Sequence, residues 1–323
     1  MTVPDVLMLT PMRPLVEREL STRVRLHKWW EAADREKMLA DAGPRIRGII
    51  TFVASCPREL IEKLPALEII AASTVGYDSI DVKAAAERGV VVTNTPDVLT
   101  DEVADLTLGL LLGTIREIRG AEAHLRAGLW ESEGPYRLTP TLRGRTVGIL
   151  GLGRIGRAIA QRVAAFDVPV VYHGRRKQDD VPYTYYPSLL EMAKAVDVII
   201  VVTPGGADTH HIVSDEVLNA LGPNGILVNV ARGSVVDEQA LIRALRDKRI
   251  LAAGLDVFAD EPHVPAELIA LENTVLLPHV ASASEYTRDA MAKLAVDNLL
   301  GWLDGKPPLT PVPETPVPAD RAR

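Results

Sequence analysis

Short apolar runs recur along most of the chain, each about the length of a strand and separated by stretches with helical spacing or by turns. Residues 6–9, 46–53, 69–73 and 90–93 are four such runs, with helix-like segments at 57–64 and 80–88. Continuous rather than alternating apolarity marks strands covered on both faces, so the pattern predicts a parallel sheet and not an antiparallel sandwich. A stronger series follows at 146–150, 168–172, 196–202, 225–230 and 250–258, with a last strand around 274–277. Helices are expected from near Arg154, over 187–196 and over 236–246, which makes this a doubly wound α/β domain with right-handed crossovers.

Two helices can connect these cores, with an irregular stretch after the first. In TDEVADLTLGLLLGTIREI, Thr100 can cap a helix whose Leu106, Leu110 and Ile115 help line an apolar side. GLWESEGPYR, residues 128–137, reads as a loop or irregular connection, and 284–302 reads as a substantial helix that can return to the first core. The expected division is 1–99 plus a returning helix at 285–306 around an inserted domain at 100–284. Six of the 23 prolines fall between Pro307 and Pro318, so 307–323 is expected to be a largely extended Pro-rich tail.

Composition narrows the classes without choosing among them. The 323 residues are 47% apolar and 24% charged, which suits a globular chain with a proper core. A net charge of −7 gives no general case for nucleic-acid binding, and Cys56, the one cysteine, cannot form an intrachain disulfide or a thiolate zinc site. With no secretory leader pattern and no run of 18 apolar residues, the expectation is a cytoplasmic protein with no membrane partner and no metal.

Candidate chemistry begins in GILGLGRIGRAIAQRV, where Gly151-x-Gly153-x-x-Gly156 lies between a predicted strand and a predicted helix. Gly151 permits the turn, Gly153 lets backbone approach a pyrophosphate and Gly156 allows close helix–sheet packing. The amides of Leu152, Gly153, Arg154 and Ile155 at a positive helix end suit phosphate. About 20 residues on, the strand end reads Tyr172-His173-Gly174-Arg175-Arg176-Lys177. Gly174 replaces the acidic residue that would accept bonds from a ribose, while Arg175 and Arg176 can meet a 2′-phosphate, which favours NADPH and leaves NADH possible.

NVARGSVVDEQAL, GLDVFADEP and LLPHVAS, together with GLGRIG and STVGYDSID, occur in order over most of the chain. They resemble the D-isomer-specific 2-hydroxyacid dehydrogenase family, in particular its glyoxylate/hydroxypyruvate reductase branch. The resemblance implies a Rossmann-type cofactor domain inserted in a flavodoxin-like α/β substrate domain, a homodimer and a small 2-oxo acid or 2-hydroxy acid as substrate.

Reduction of a 2-oxo acid needs a carboxylate anchor, carbonyl polarisation and a proton for the developing alkoxide. Arg232 can supply a bidentate cation, His279 can exchange a proton near neutral pH, and Glu261 can orient and stabilise the imidazolium. The family motif places its catalytic arginine, acid and histidine at these same three positions. Taken one at a time, each also fits a structural role: a surface ion pair, a turn cap and a satisfied histidine.

Backbone amides at Val75 and Gly76, after a predicted strand, can receive a carboxylate, with Thr74 a weaker candidate and Ser55 lining the same cleft. The resemblance also implies cofactor contacts at Thr100, Thr203, Pro204, Val230, Ala231, Arg232, Asp256, His279 and Ala281. Ala281 stands in a stretch where related sequences commonly carry glycine. Trp130 lies in a segment resembling a substrate- and dimer-associated loop, and core or interface packing explains it equally well. The rival readings are a reductase for a bulkier 2-oxo acid and a non-enzymatic dinucleotide-sensing corepressor.

Overall fold

The computed structural model describes residues 3–315, 317, 318 and 321. The chain divides into two compact units, one formed by Thr100–Ala283 and the other by Met1–Leu99 with Ser284–Arg323.

The first unit carries strands β1 (Asp5–Met8), β2 (Arg25–Lys28), β3 (Ile46–Thr51), β4 (Ile69–Ala72) and β5 (Val91–Thr93). All pairings are parallel, in the order β2-β1-β3-β4-β5, which is the flavodoxin-like arrangement. The helix Glu285–Leu303 belongs to this unit. Ser284 caps it, its side chain accepting from the Thr287 amide, and Ala292, Ala295, Val296, Leu299 and Trp302 join the core around Val6, Ile50, Ile69 and Val91. Gly48 in β3 explains the close fit: a Cβ there would lie 2.5 Å from Leu299 Cδ1. The indole N–H of Trp302 donates to Glu68, which also pairs with Arg47.

The segment expected to be a largely extended Pro-rich tail is extended, and residues 309–315 are docked. Asn298 accepts the amides of Leu309 and Thr310, and the Thr310 hydroxyl donates to the Asn94 carbonyl. The Val312 amide donates to the Val92 carbonyl at 2.9 Å, and the Val92 amide donates to Thr315 Oγ1 at 3.0 Å. Val312 and Thr315 are buried. An outermost strand leaves a row of backbone groups to be satisfied, and residues 310–315 satisfy part of that row along β5. Prolines at 311 and 313 have no amide to contribute, so the pairing is short and no further strand forms. Positions 316, 319, 320, 322 and 323 lie outside the described residues.

The second unit is built on β6 (Val147–Leu150), β7 (Val170–His173), β8 (Thr184–Tyr186), β9 (Val198–Val201), β10 (Ile226–Asn229), β11 (Ala252–Leu255) and β12 (Thr274–Leu276). These are also parallel, in the order β12-β11-β10-β9-β6-β7-β8. Read from β6 outward on both sides, this is the Rossmann order extended by one strand. The central strands are wholly buried, as their continuous apolar runs require. Helices Arg154–Ala164, Leu189–Ala195 and Glu238–Arg246 follow β6, β8 and β10, with Ser188 and Asp237 capping the last two. The stretch after the helix Thr100–Ile115 is more ordered than its sequence suggests, forming helices Ile118–Arg126 and Leu129–Ser132 before an irregular run. Among the described residues, no helix is long and apolar enough to cross a membrane.

Candidate active site

Strand register places most of the expected chemistry along one edge. His173, Leu150, Val201, Asn229, Leu255 and Leu276 are successive partners across the seven-stranded sheet, and each is the last residue of its strand. The loops leaving that row therefore emerge together at the carboxyl edge, where open α/β sheets bind ligands. They carry Gly151–Gly153, Gly174–Arg176, Thr203–Pro204, Val230–Arg232, Asp256–Glu261 and His279–Ala281.

The glycine turn fits a pyrophosphate. Gly151 has φ +101°, and a Cβ there would meet the Thr203 backbone at 2.9 Å. At Gly156 a Cβ would lie 2.1 Å from the Gly151 carbonyl oxygen, so the helix can begin this close to the turn only with glycine. At Gly153 the corresponding space is open, as approach by a phosphate requires. Gly153 is also the N-cap of Arg154–Ala164, and no side chain caps this helix start.

Beyond β7, Gly174 is half-buried with open space where a side chain would stand, and Arg175 and Arg176 are exposed. Arg157, from the helix after the glycine turn, is instead occupied, making two 2.8 Å bonds to the Asp180 carboxylate.

On the other side of the sheet edge, His279 Nδ1 lies 2.7 Å from Glu261 Oε2. Glu261 Oε1 accepts the Phe258 amide at 3.0 Å. Burial opposes ionisation of Glu261, but the bonds from His279 and Phe258 and the charges of His279 and Arg232 outweigh it, holding the carboxyl below its ordinary value. Glu261 is thus within electrostatic reach of both His279 and Arg232. With Nδ1 engaged by a carboxylate, Nε2 is the ring nitrogen left for other partners.

The backbone under these side chains is fixed by buried polar groups. His279 has φ +53°, a left-handed conformation uncommon for any residue with a side chain. Asp256 holds it: its carboxylate accepts the Val280 and Ala281 amides at 2.8 and 2.9 Å, and its carbonyl accepts the His279 amide. Burial raises the Asp256 pKa, and the two amide bonds oppose that rise. Asn229 does the same for the arginine loop, accepting from the Ala231 amide and donating to the Arg232 carbonyl. Gly233 lets that loop sit against the next one, since a Cβ would fall 1.9 Å from the Phe258 carbonyl. Glu238, in the following helix, accepts the Ala259 amide.

Sequence reasoning treats Asp256 as cofactor-site support and passes over Asn229. A lone amide side chain ending the apolar run GILVN is the signal that could have found it.

The remaining candidates are distributed as follows. Val230, Ala231 and Ala281 are buried, Thr203 is half-buried and Pro204 is exposed. Thr100 is the first residue of its helix. In the first unit, Val75 and Gly76 follow β4 in a turn held by Asn94, which donates to the Val75 carbonyl at 2.8 Å, and by the Thr74 hydroxyl, which donates to the Gly76 carbonyl at 2.7 Å. Fixing the Val75 carbonyl fixes the direction of the Gly76 amide in the same peptide plane, and fixing the Gly76 carbonyl does so for the next amide. Ser55 is exposed beside buried Cys56, whose thiol burial pushes up to about 12. Trp130 is 63% exposed.

A doubly wound sheet with a phosphate-compatible glycine turn and an acid–base pair on its carboxyl edge defines a dinucleotide-dependent oxidoreductase. More narrowly, residues 108–281 match the NAD-binding domain of the D-isomer-specific 2-hydroxyacid dehydrogenases, and the chain belongs to that family. It is 46% identical over 308 residues to hydroxyphenylpyruvate reductase of Plectranthus scutellarioides, covering 95% of this chain and 98% of that one. The same identity and coverage hold for glyoxylate/hydroxypyruvate reductase A of Arabidopsis thaliana. Among solved structures, the NADPH-dependent glyoxylate/hydroxypyruvate reductase of Sinorhizobium meliloti, in complex with NADP and malonate, superposes with a TM-score of 0.94 at 49% identity. That match covers 100% of this chain and 99% of the other.

Proposed function

We propose that this protein is an NADPH-dependent reductase of glyoxylate and hydroxypyruvate, producing glycolate and D-glycerate. The observation that carries the reading is the 2.7 Å contact between His279 Nδ1 and Glu261. It commits one imidazole nitrogen to a carboxylate and leaves Nε2 for the substrate oxygen. The similarity to an NADPH-dependent enzyme of this specificity supports the choice of substrate and cofactor.

The chemistry that the cofactor supplies when bound is a hydride for the 2-oxo carbon. Leu152–Ile155 offer backbone amides to the pyrophosphate, and Arg175 and Arg176 answer the 2′-phosphate, with NADH a weaker alternative. Thr100, Thr203, Pro204, Val230 and Ala231 are candidate contacts along the rest of the dinucleotide. Arg232 holds the substrate carboxylate, and Ser55 and the Val75 and Gly76 amides are further candidates for substrate binding. Protonated His279 gives its Nε2 proton to the forming alkoxide while Glu261 stabilises the cation, and Asp256 keeps the histidine turn in place.

The assembly consistent with this reading is a cytoplasmic homodimer. The helix Ile118–Arg126 has no buried residue, and Ile118, Leu125, Trp130 and Leu138 around it are exposed. A second copy is the natural cover for such a face.

One relative gives the bulkier-substrate reading specific support, because the hydroxyphenylpyruvate reductase is as similar as the glyoxylate/hydroxypyruvate reductase. Purified protein assayed with glyoxylate, hydroxypyruvate and hydroxyphenylpyruvate, each with NADPH and NADH, separates the two. Faster turnover of the two small acids with NADPH is expected. A higher kcat/KM for the aromatic acid would transfer the assignment to it, and dinucleotide binding without turnover of any would leave a sensor.

A further inference from the structure

The basic loop after β7 is exposed, yet it is held from several directions, and most of the bonds converge on one residue that takes no part in the chemistry above. The Gln178 amide N–H donates to the Tyr172 hydroxyl at 2.7 Å. Its side-chain Nε2 reaches back 26 residues to the Leu152 carbonyl at 2.8 Å, inside the glycine turn. Its Oε1 accepts from Arg157. Tyr172 is a fully buried β7 residue, and Tyr185 closes the other side of the loop by donating to the Gly174 carbonyl at 3.2 Å. The loop is therefore fastened to the turn that precedes the helix, as well as to its own strand.

Charge distribution in this loop sharpens the point. Arg157 is matched by the Asp180 carboxylate, which lies below its ordinary pKa because of that bond. Among the described residues, neither Arg175 nor Arg176 makes a hydrogen bond or ion pair, and both are exposed. A long side chain on a free loop spends much of its time away from any one position, and that lost freedom subtracts from binding. Fastening the loop at both ends removes part of this cost before an anion arrives.

We infer that Gln178 is a positioning residue for cofactor selectivity, bridging the pyrophosphate turn and the loop that recognises the 2′-phosphate. The inference rests on the assignment of Arg175 and Arg176 to that phosphate. Gln178 itself touches neither phosphate; it sets the distance between the two places where phosphates are held.

The test is calorimetric titration of the full chain with adenosine 2′,5′-bisphosphate and with 5′-AMP. It compares the parent protein with Gln178→Met, which keeps the side-chain length and removes both polar ends. Tyr172→Phe, which releases the Gln178 backbone and keeps the ring, gives a second handle if the first variant does not fold. Preference of the parent for the bisphosphate is expected to fall roughly 5- to 20-fold in Gln178→Met, with 5′-AMP affinity changed less than about twofold. Tyr172→Phe should move the preference in the same direction. If the parent itself binds the two nucleotides equally, the phosphate assignment fails. If the parent discriminates and the variants discriminate as well, or lose both affinities equally, the bridging role of Gln178 is overturned.

Discussion

The two ends of the dinucleotide sheet's carboxyl edge are held in different ways. At β10–β12 the loops bearing Arg232, Glu261 and His279 are locked from beneath by buried Asn229 and Asp256 and by the close approach at Gly233. At β6–β7 the loop bearing Arg175 and Arg176 lies in solvent and is held by polar side chains at its margins. A proton-transfer site tolerates little displacement, and buried, mutually dependent hydrogen bonds give it that rigidity. Recognition of a phosphate by long cationic side chains tolerates more. Chemistry and cofactor preference should therefore be separable by mutation.

The strongest way to break this comparison is at the rigid end. His279→Gln should reduce kcat by roughly a hundred- to ten-thousand-fold with the KM for NADPH little changed. Comparable losses in both parameters would mean that the histidine serves cofactor binding rather than proton transfer. At the other end, the double replacement Arg175→Ser with Arg176→Ser should raise the KM for NADPH by about tenfold or more and leave that for NADH within about twofold. Equal changes for the two cofactors would remove the phosphate role. The smallest effect concerns the acid. Because the Glu261 pKa is depressed in the folded chain, its stabilising contribution is complete above the usual glutamate range and is lost as pH falls through the lower folded value. Glu261 is a third exposed, so solvent screening limits that contribution to less than about 1 kcal/mol. The unfolding free energy of Glu261→Gln, measured in urea, should lie below the parent's at neutral pH and converge on it below about pH 4. A gap that stays constant with pH would show that the ion pair contributes nothing to stability.

Legibility from sequence followed burial. The central strands were readable because burial on both faces demands unbroken apolar runs, and the glycine turn because its three positions have separate steric reasons. Edge strands β2 and β8 were not, since RLHK and TYY are short, partly exposed and carry no such run. Helices Pro14–Leu20, Arg35–Ala42 and Asp215–Leu221 also went unread, being about two turns long with only a few buried residues each. In the site, the residues proposed to meet ligand carry motif signals. Gln178 and Asn229 act on backbone groups, one of them 26 residues away, and no local spacing records that. The proline cluster announced extended chain, and the open edge of β5, which composition does not record, decides where it lies.

That docked segment also bears on the order in which the molecule can be completed. Strands β1 to β5 precede the rest of their own unit by the whole inserted unit, yet their core includes Leu299 and Trp302, and their edge is covered by Val312 and Thr315. The whole of Thr100–Ala283 is synthesised in between. Domains generally fold as units while the chain emerges, so the inserted unit can mature while its host waits with an apolar sheet face exposed. Of the two units, the one begun earlier is completed later.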